Sequence, residues 1–363
     1  MITMNDLTIR SNIRNYKVIF TEGFSFKNHL QQLDNTFFIV DRKVFRLHRN
    51  LFSFLPKDRY VLFDALEENK TIDSAISLYR TLLAKDMRRN STLVSVGGGI
   101  TQDVTGFVAS TLYRGIDWIF VPTTLLAQVD SCIGSKTSLN FSDYKNVLGT
   151  FYPPSTIYID AGFLDTLSEM DTSSGMGELI KFFFLTIQGE DDLRTLPSKI
   201  TQAKQEKRAL LEFIRGGLLI KKEFIEKDEF DTSKRHILNY GHTLGHALEA
   251  TSNYAVPHGL AVLIGILFVN LVSMKRGLIQ KPVFDFATNE ILLPNLYLDT
   301  LKLKSDYFEP QVLFEKMQKD KKKTGAGLTL ILPKAYFDLH KVNDLYFEEL
   351  VKTVSALKHI LRV

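Results

Sequence analysis

The sequence predicts two unlike halves, an α/β N-terminal half built on a parallel sheet and an all-helical C-terminal half. Short β-rich runs alternate with helical spacing as far as Asp160, the pattern of a parallel sheet with covering helices. Beyond Phe163 the strand pattern nearly vanishes and helical periodicity takes over. A chain of 363 residues is long enough for two domains.

Tyr16–Phe20, Thr36–Asp41 and Arg59–Phe63 are short runs of β-branched and aromatic residues, and Thr71–Lys85 has helical spacing. Leu93–Val96 reads as a strand ending in Gly97-Gly98-Gly99, and Gln102–Leu112 as a helix. Trp118–Val121 and Thr156–Asp160 supply two more strands. The boundary is expected near Asp160–Thr166, giving domains 1–163 and 164–363. Helices follow at about Ser173–Thr186, Ile200–Glu226, Ile237–Thr251 and Leu260–Lys275. One late strand, Leu328–Leu332, precedes Pro333, and Lys319–Lys323 (KDKKK) is the only charge run.

Hydrophobic residues make up 45% and charged residues 24%, as in ordinary globular proteins. A net charge of +4 over this length does not point to nucleic acid and would not repel an anionic substrate. The single cysteine, Cys132, excludes an internal disulfide and fits a reducing, cytoplasmic setting. The N-terminal stretch has no apolar core of signal-peptide length. The most apolar run, Gly259–Met274, is interrupted by Asn270 and short for a membrane span; it is expected to be a buried core helix.

The stretch Asn239–Gly259 holds three of the eight histidines. His242 and His246 are four apart and share one helical face, while Pro257 and Gly259 flank His258 with turn residues. Imidazole is the commonest zinc ligand, and a carboxylate often completes the set. The alternative is a helix whose histidines cap or pack, since HTLGH lacks a metalloprotease's adjacent glutamate. Arg235, Asn239, His242 and His246 fall at steps of four, three and four. One helical face carrying four polar groups needs partners or a ligand.

Other stretches add chemistry. Gly97–Gly99 hands a strand to a helix, where backbone can approach a pyrophosphate, or form a plain tight turn. Asp41, closing a strand, can accept from ribose hydroxyls. Arg114–Asn146 carries Arg114, Thr123, Thr124, Asp130, Lys136, Lys145 and Asn146 in a Gly/Ser/Thr-rich frame suited to a phosphate and hydroxyls, or to a solvated loop. Glu178 and Lys181 share a face of the helix opened by Gly175-Met176-Gly177, as an ordinary ion pair or part of a site.

In this order, GGGITQDVTGF, RGIDWIFVPTTLLAQVDSCIGSKTSLN, KNVLGTFYPP, GMGELIK, RHILNYGHTLGHALE and PHG resemble the 3-dehydroquinate synthases and the wider sugar-phosphate cyclases, from about Asp41 to Pro333. The resemblance implies a nucleotide-binding Rossmann-like domain, a helical metal-binding domain and an active site between them. It further implies a cytoplasmic homodimer that binds neither nucleic acid nor membrane, NAD, and a divalent metal, normally zinc, with cobalt as the other choice. Carried over by position, the metal ligands are Glu178, His242 and His258. The NAD residues are Asp41, Glu67, Lys70, Gly98, Gly99, Asp103, Thr123, Thr124, Lys145, Phe163 and Thr166. The substrate residues are Arg114, Asp130, Lys136, Asn146, Lys181, Lys221, Arg235, Asn239, His246 and one of Lys321 or Lys322, with acid–base roles for His246 and Asp231.

The implied reaction cyclises 3-deoxy-D-arabino-heptulosonate 7-phosphate with loss of phosphate, in the shikimate route to aromatic amino acids. Arg235, Asn239 and the late lysine favour it over other seven-carbon sugar phosphates. An NAD-dependent alcohol or glycerol dehydrogenase is the more distant alternative. The chain departs from the family pattern at Gln102, Arg42-Lys43, Leu66, Ser135 and Ser174, with Gln102, Leu66 and Ser135 each standing where glycine is usual.

Overall fold

The computed structural model of the chain describes residues 6–142, 144–232, 234–319 and 327–363. They cluster into two units, Met1–Ser168 with Lys222–Asp231, and Glu169–Lys221 with Thr232–Val363. The return of Lys222–Asp231 to the first unit has no counterpart in a single division at residue 163. Hydrogen bonds to the N-terminal residues hold it there. Glu229 accepts from Ser11 and Asn12, and Glu226 pairs with Arg10.

The first unit contains β1 (Leu7–Ile9), β2 (Tyr16–Thr21), β3 (Thr36–Asp41), β4 (Tyr60–Phe63), β5 (Thr92–Gly97), β6 (Asp117–Pro122), β7 (Lys136–Phe141), β8 (Tyr144–Phe151) and β9 (Thr156–Asp160). Seven of these form one sheet in the order β1-β2-β9-β6-β5-β3-β4, parallel except for β1 against β2. Strands β3, β5, β6 and β9 are buried along nearly their whole length, as strands covered on both faces must be. Helices α1 (Phe26–Leu30), α2 (Arg42–Leu47), α3 (Ile72–Ala84) and α4 (Gly99–Thr111) belong to this unit. Phe26, Phe38, Val40, Val94, Val121 and Phe163 share one apolar core. Because the central strands are parallel, Asp41, Gly97, Pro122 and Asp160 end at one edge of the sheet, where open α/β folds bind ligands.

Strands β7 and β8 form an antiparallel hairpin apart from the main sheet. The sequence pattern assigns no strand to this stretch. Its Ser, Thr, Asn and Lys residues lack apolar alternation because β8 is mostly exposed; the ladder rests largely on backbone pairing, with Thr137 and Leu139 buried and a Thr137–Thr150 hydroxyl contact across it.

The second unit is largely helical: α5 (Glu169–Phe184), α6 (Glu190–Gln205), α7 (Lys207–Lys227), α8 (His242–Thr251), α9 (His258–Lys275), α10 (Lys281–Phe286), α11 (Leu298–Leu301), α12 (Pro310–Lys319) and α13 (Phe347–Leu361), with α7 ending among residues of the first unit. The single helix expected over Ile200–Glu226 is two helices, because Glu206 is extended. The strand expected to stop before Pro333 continues through it as β10 (Leu328–Lys334), paired with β11 (Asp338–Leu345). A two-stranded ribbon has only edge strands, which tolerate proline. The apolar run is α9, buried continuously from Gly259 to Ser273; hydrophobic on all sides, it is a core helix.

Candidate functional site

The expected helix over Ile237–Thr251 breaks. Lys234–Asn239 is a 3-10 turn, Gly241 is left-handed at φ +79°, and α8 begins at His242. A Cβ on Gly241 would lie 2.6 Å from the Val262 carbonyl oxygen of α9; only glycine fits. Arg235 and Asn239 are therefore not on one helical face with His242 and His246, and that expectation was wrong. His258, expected in a turn, is the first residue of α9.

Glycines bring the three helices together. A Cβ on Gly259 would meet the Ser174 carbonyl oxygen of α5 at 1.7 Å, and one on Gly265 the Gly241 carbonyl oxygen at 1.9 Å. Glu178 adjoins Gly177, His258 adjoins Gly259, and His242 adjoins Gly241. Each chemical side chain thus sits beside a point of backbone contact. The hydroxyl of Ser174, one of the departures, accepts the Gly259 N–H at 3.0 Å.

The result is a cluster around Glu178, which has no exposed surface. Its Oε1 lies 3.4 Å from Nε2 of both His242 and His258, and its Oε2 lies 2.5 Å from Lys181 Nζ. The carboxylate is thus met by an ammonium and two imidazoles. Burial pushes this carboxyl upward, but Lys181 and the two imidazoles prevail and hold it well below the usual carboxylate range. Burial, then Lys181, push His242 well below its ordinary value, toward the neutral imidazole that binds metals. His258 goes the other way: burial opposes its proton, but Glu178 and Glu249 raise it to about 10.

The rings are held from behind. His242 Nδ1 is 3.2 Å from the Tyr240 carbonyl oxygen, and His258 Nδ1 is 3.0 Å from Glu249 Oε2. Such contacts fix tautomer and ring orientation in metal sites. The sequence reading missed Glu249, although His242, His246 and Glu249 stand at i, i+4 and i+7 on one face. His246 joins the cluster, since ligand atoms of all three histidines lie within 4.8 Å of one another. A fully buried carboxylate facing several imidazole nitrogens fits a divalent cation of zinc type.

In the first unit, residues expected at NAD meet around the hairpin. Lys70 Nζ lies 2.5 Å from Asp103 Oδ2 and donates to Asn146 Oδ1 at 2.6 Å. Ser138 N donates to Asp103 Oδ1 at 3.0 Å, and Lys145 Nζ is 3.2 Å from Glu67 Oε1. Burial raises the Asp103 carboxyl despite Lys70. Gly98 precedes α4 without a side-chain cap, and its Cβ would lie 3.2 Å from Thr124 Cγ2. Thr123 N donates to the Gly97 carbonyl at 3.0 Å. Uncapped N–H groups behind a crowded glycine suit a pyrophosphate. Asp41 caps α2 by accepting from Lys43 N at 2.8 Å. Thr166 meets His48 Nε2 at 3.0 Å, and Phe163 packs edge-on against that ring, a residue the motifs did not mark.

Gln102 fills the space of the usual glycine, donating to the Ser131 carbonyl at 2.6 Å beside Asp130. Arg114 is left-handed at φ +66°. Lys136 pairs with Asp231 at 2.7 Å within the first unit. Lys221 and Arg235 are buried in the second unit. Lys321 and Lys322 lie outside the described residues.

Two family models match: 3-dehydroquinate synthase N-terminal over residues 60–174, and 3-dehydroquinate synthase C-terminal over residues 175–323. The chain is 35% identical over 359 residues to the 3-dehydroquinate synthase of Dictyoglomus turgidum, covering 97% of this chain and 98% of that one. Its fold resembles 2-epi-5-epi-valiolone synthase from Streptomyces hygroscopicus, solved with NAD+ and Zn2+, at a TM-score of 0.82 and 23% identity over 97% and 99% of the two chains. It also resembles 2-deoxy-scyllo-inosose synthase, solved with carbaglucose-6-phosphate, NAD+ and Co2+, at a TM-score of 0.79 and 24% identity over 98% and 100%.

Proposed function

Since the chain belongs to the 3-dehydroquinate synthase family, we propose that it cyclises 3-deoxy-D-arabino-heptulosonate 7-phosphate to 3-dehydroquinate with release of phosphate. The observation that carries this reading is the Glu178 carboxylate, fully buried and facing both His242 and His258 at 3.4 Å. Glu178, His242 and His258 would hold a divalent metal, zinc by the chemistry of the donor set. Asp41, Glu67, Lys70, Gly98, Gly99, Asp103, Thr123, Thr124, Lys145, Phe163 and Thr166 would hold NAD. When bound, the metal supplies Lewis acidity at the C5 oxygen and the nicotinamide supplies reversible hydride acceptance.

The remaining residues bind, orient and move protons. Lys181 compensates the charge of Glu178 at 2.5 Å and offers its ammonium to a substrate oxygen. Arg114, Lys136, Asn146 and a late lysine bind the phosphate, where a closed site strengthens each charge. Lys221, Arg235 and Asn239 hold the carboxylate and hydroxyls. Once C5 is a ketone, the C6 proton is acidic and its loss expels phosphate by β-elimination. His246 serves as proton carrier in these steps, with Asp231.

The test is product identity. Purified protein with NAD and zinc should release phosphate from the heptulosonate phosphate without net NADH. Phosphate release from sedoheptulose 7-phosphate alone would overturn the substrate, and steady NADH formation from a simple polyol would overturn the reaction class.

A further inference from the structure

Ser135 holds a backbone conformation that glycine adopts more readily. Its φ is +65°, in the left-handed region that disfavours any residue with a Cβ. Its carbonyl accepts the Tyr152 N–H at 2.6 Å. Its hydroxyl donates to Glu229 Oε1 at 2.6 Å. Glu229 is only 3% exposed and also accepts from Ser11 Oγ at 2.6 Å, Asn12 N at 2.7 Å and Asn12 Nδ2 at 3.2 Å. Two residues on, Asp231 is itself left-handed at φ +59°, and its Oδ2 lies 2.7 Å from Lys136 Nζ.

Residues 135 and 136 are thus fastened to residues 229 and 231 by two links of different kinds. The Lys136–Asp231 pair leaves 48% and 32% of its side chains exposed, and ion pairs that wet hold little together. The Ser135–Glu229 bond is buried and charge-assisted, so it sets the geometry. Glycine would adopt this backbone freely but would carry no tether.

We propose that Ser135 is a positioning residue for substrate-anion binding. Through Glu229 it fixes where the Lys136 ammonium rests against Asp231, so an arriving phosphate group meets a cation already placed. This role rests on Lys136 receiving the substrate's phosphate, as proposed above.

Two variants separate tether from strain. Ser135→Gly loses the hydroxyl and relieves the backbone; Ser135→Ala loses the hydroxyl and keeps the strain. Both should raise KM for the heptulosonate phosphate by about tenfold with kcat within about twofold, the scale of a displaced binding group. Calorimetric affinity for inorganic phosphate should fall in parallel, and Ser135→Ala, which keeps the strain, should melt earlier than Ser135→Gly. Ser135→Gly with KM and phosphate affinity at wild-type values would overturn the role. If wild-type protein binds phosphate but turns over no heptulosonate phosphate, the proposed reaction fails. Loss of phosphate affinity in Ser135→Gly would still uphold the tether.

Discussion

Two buried carboxylates, one in each unit, have opposite surroundings. Glu229 accepts hydrogen bonds from the neutral groups of Ser11, Asn12 and Ser135, whereas Glu178 is met by the Lys181 ammonium and two imidazoles. Both carboxyls are held below the usual carboxylate range against the upward push of burial, Glu229 by hydrogen bonds and Glu178 chiefly by the charge of Lys181, with the two imidazoles. A carboxylate with a structural task is satisfied by the protein itself. One with a chemical task is set among groups that can share a bound cation or substrate with it.

Replacing Glu178 gives the largest expected effect. Glu178→Gln keeps the shape and removes the charge, so metal content measured by elemental analysis should drop to background, together with turnover, while circular dichroism stays native. Wild-type metal content in this variant would mean that Glu178 is as structural as Glu229. Next is Glu249→Gln. Its contact with His258 Nδ1 predicts a loss of about 10- to 100-fold in zinc affinity by competitive chelation, typical for a residue behind a ligand. An unchanged affinity would limit the open region to Glu178 and its direct neighbours.

Glu229→Gln should leave metal content untouched and destabilise the fold by about 2 kcal/mol in denaturant unfolding, the worth of charged hydrogen bonds. The pH dependence follows from the direction of the shift. The folded-state carboxyl is depressed, so its contribution is complete above the unfolded carboxylate value and is lost as pH falls through the folded one. Wild-type stability should therefore decline on the acid side more steeply than that of Glu229→Gln. Identical slopes would remove the contrast.

Much of this was legible before any coordinates. The sheet strands Tyr16–Thr21, Thr36–Asp41 and Thr156–Asp160 announced themselves as β-branched and aromatic runs, because buried parallel strands need apolar residues on both faces. The glutamate and histidines stood out by motif. The hairpin Lys136–Phe151 did not, since polar residues paired through backbone leave no periodic trace. The break at Gly241 was equally hidden, because its cause is the backbone of α9, distant in sequence. Glu229 and Glu249 went unmarked because acidic residues are common, and only their partners distinguish them.

The glycine contacts between α5 and α9 and between α8 and α9 have a consequence for how this chain tolerates change. A single methyl group at residue 259 or 265 would act as a wedge, prising helix axes apart and carrying the neighbouring imidazole with them. A saturation scan should therefore show these hydrogen-only positions as intolerant as the donors they flank, although they perform no chemistry of their own.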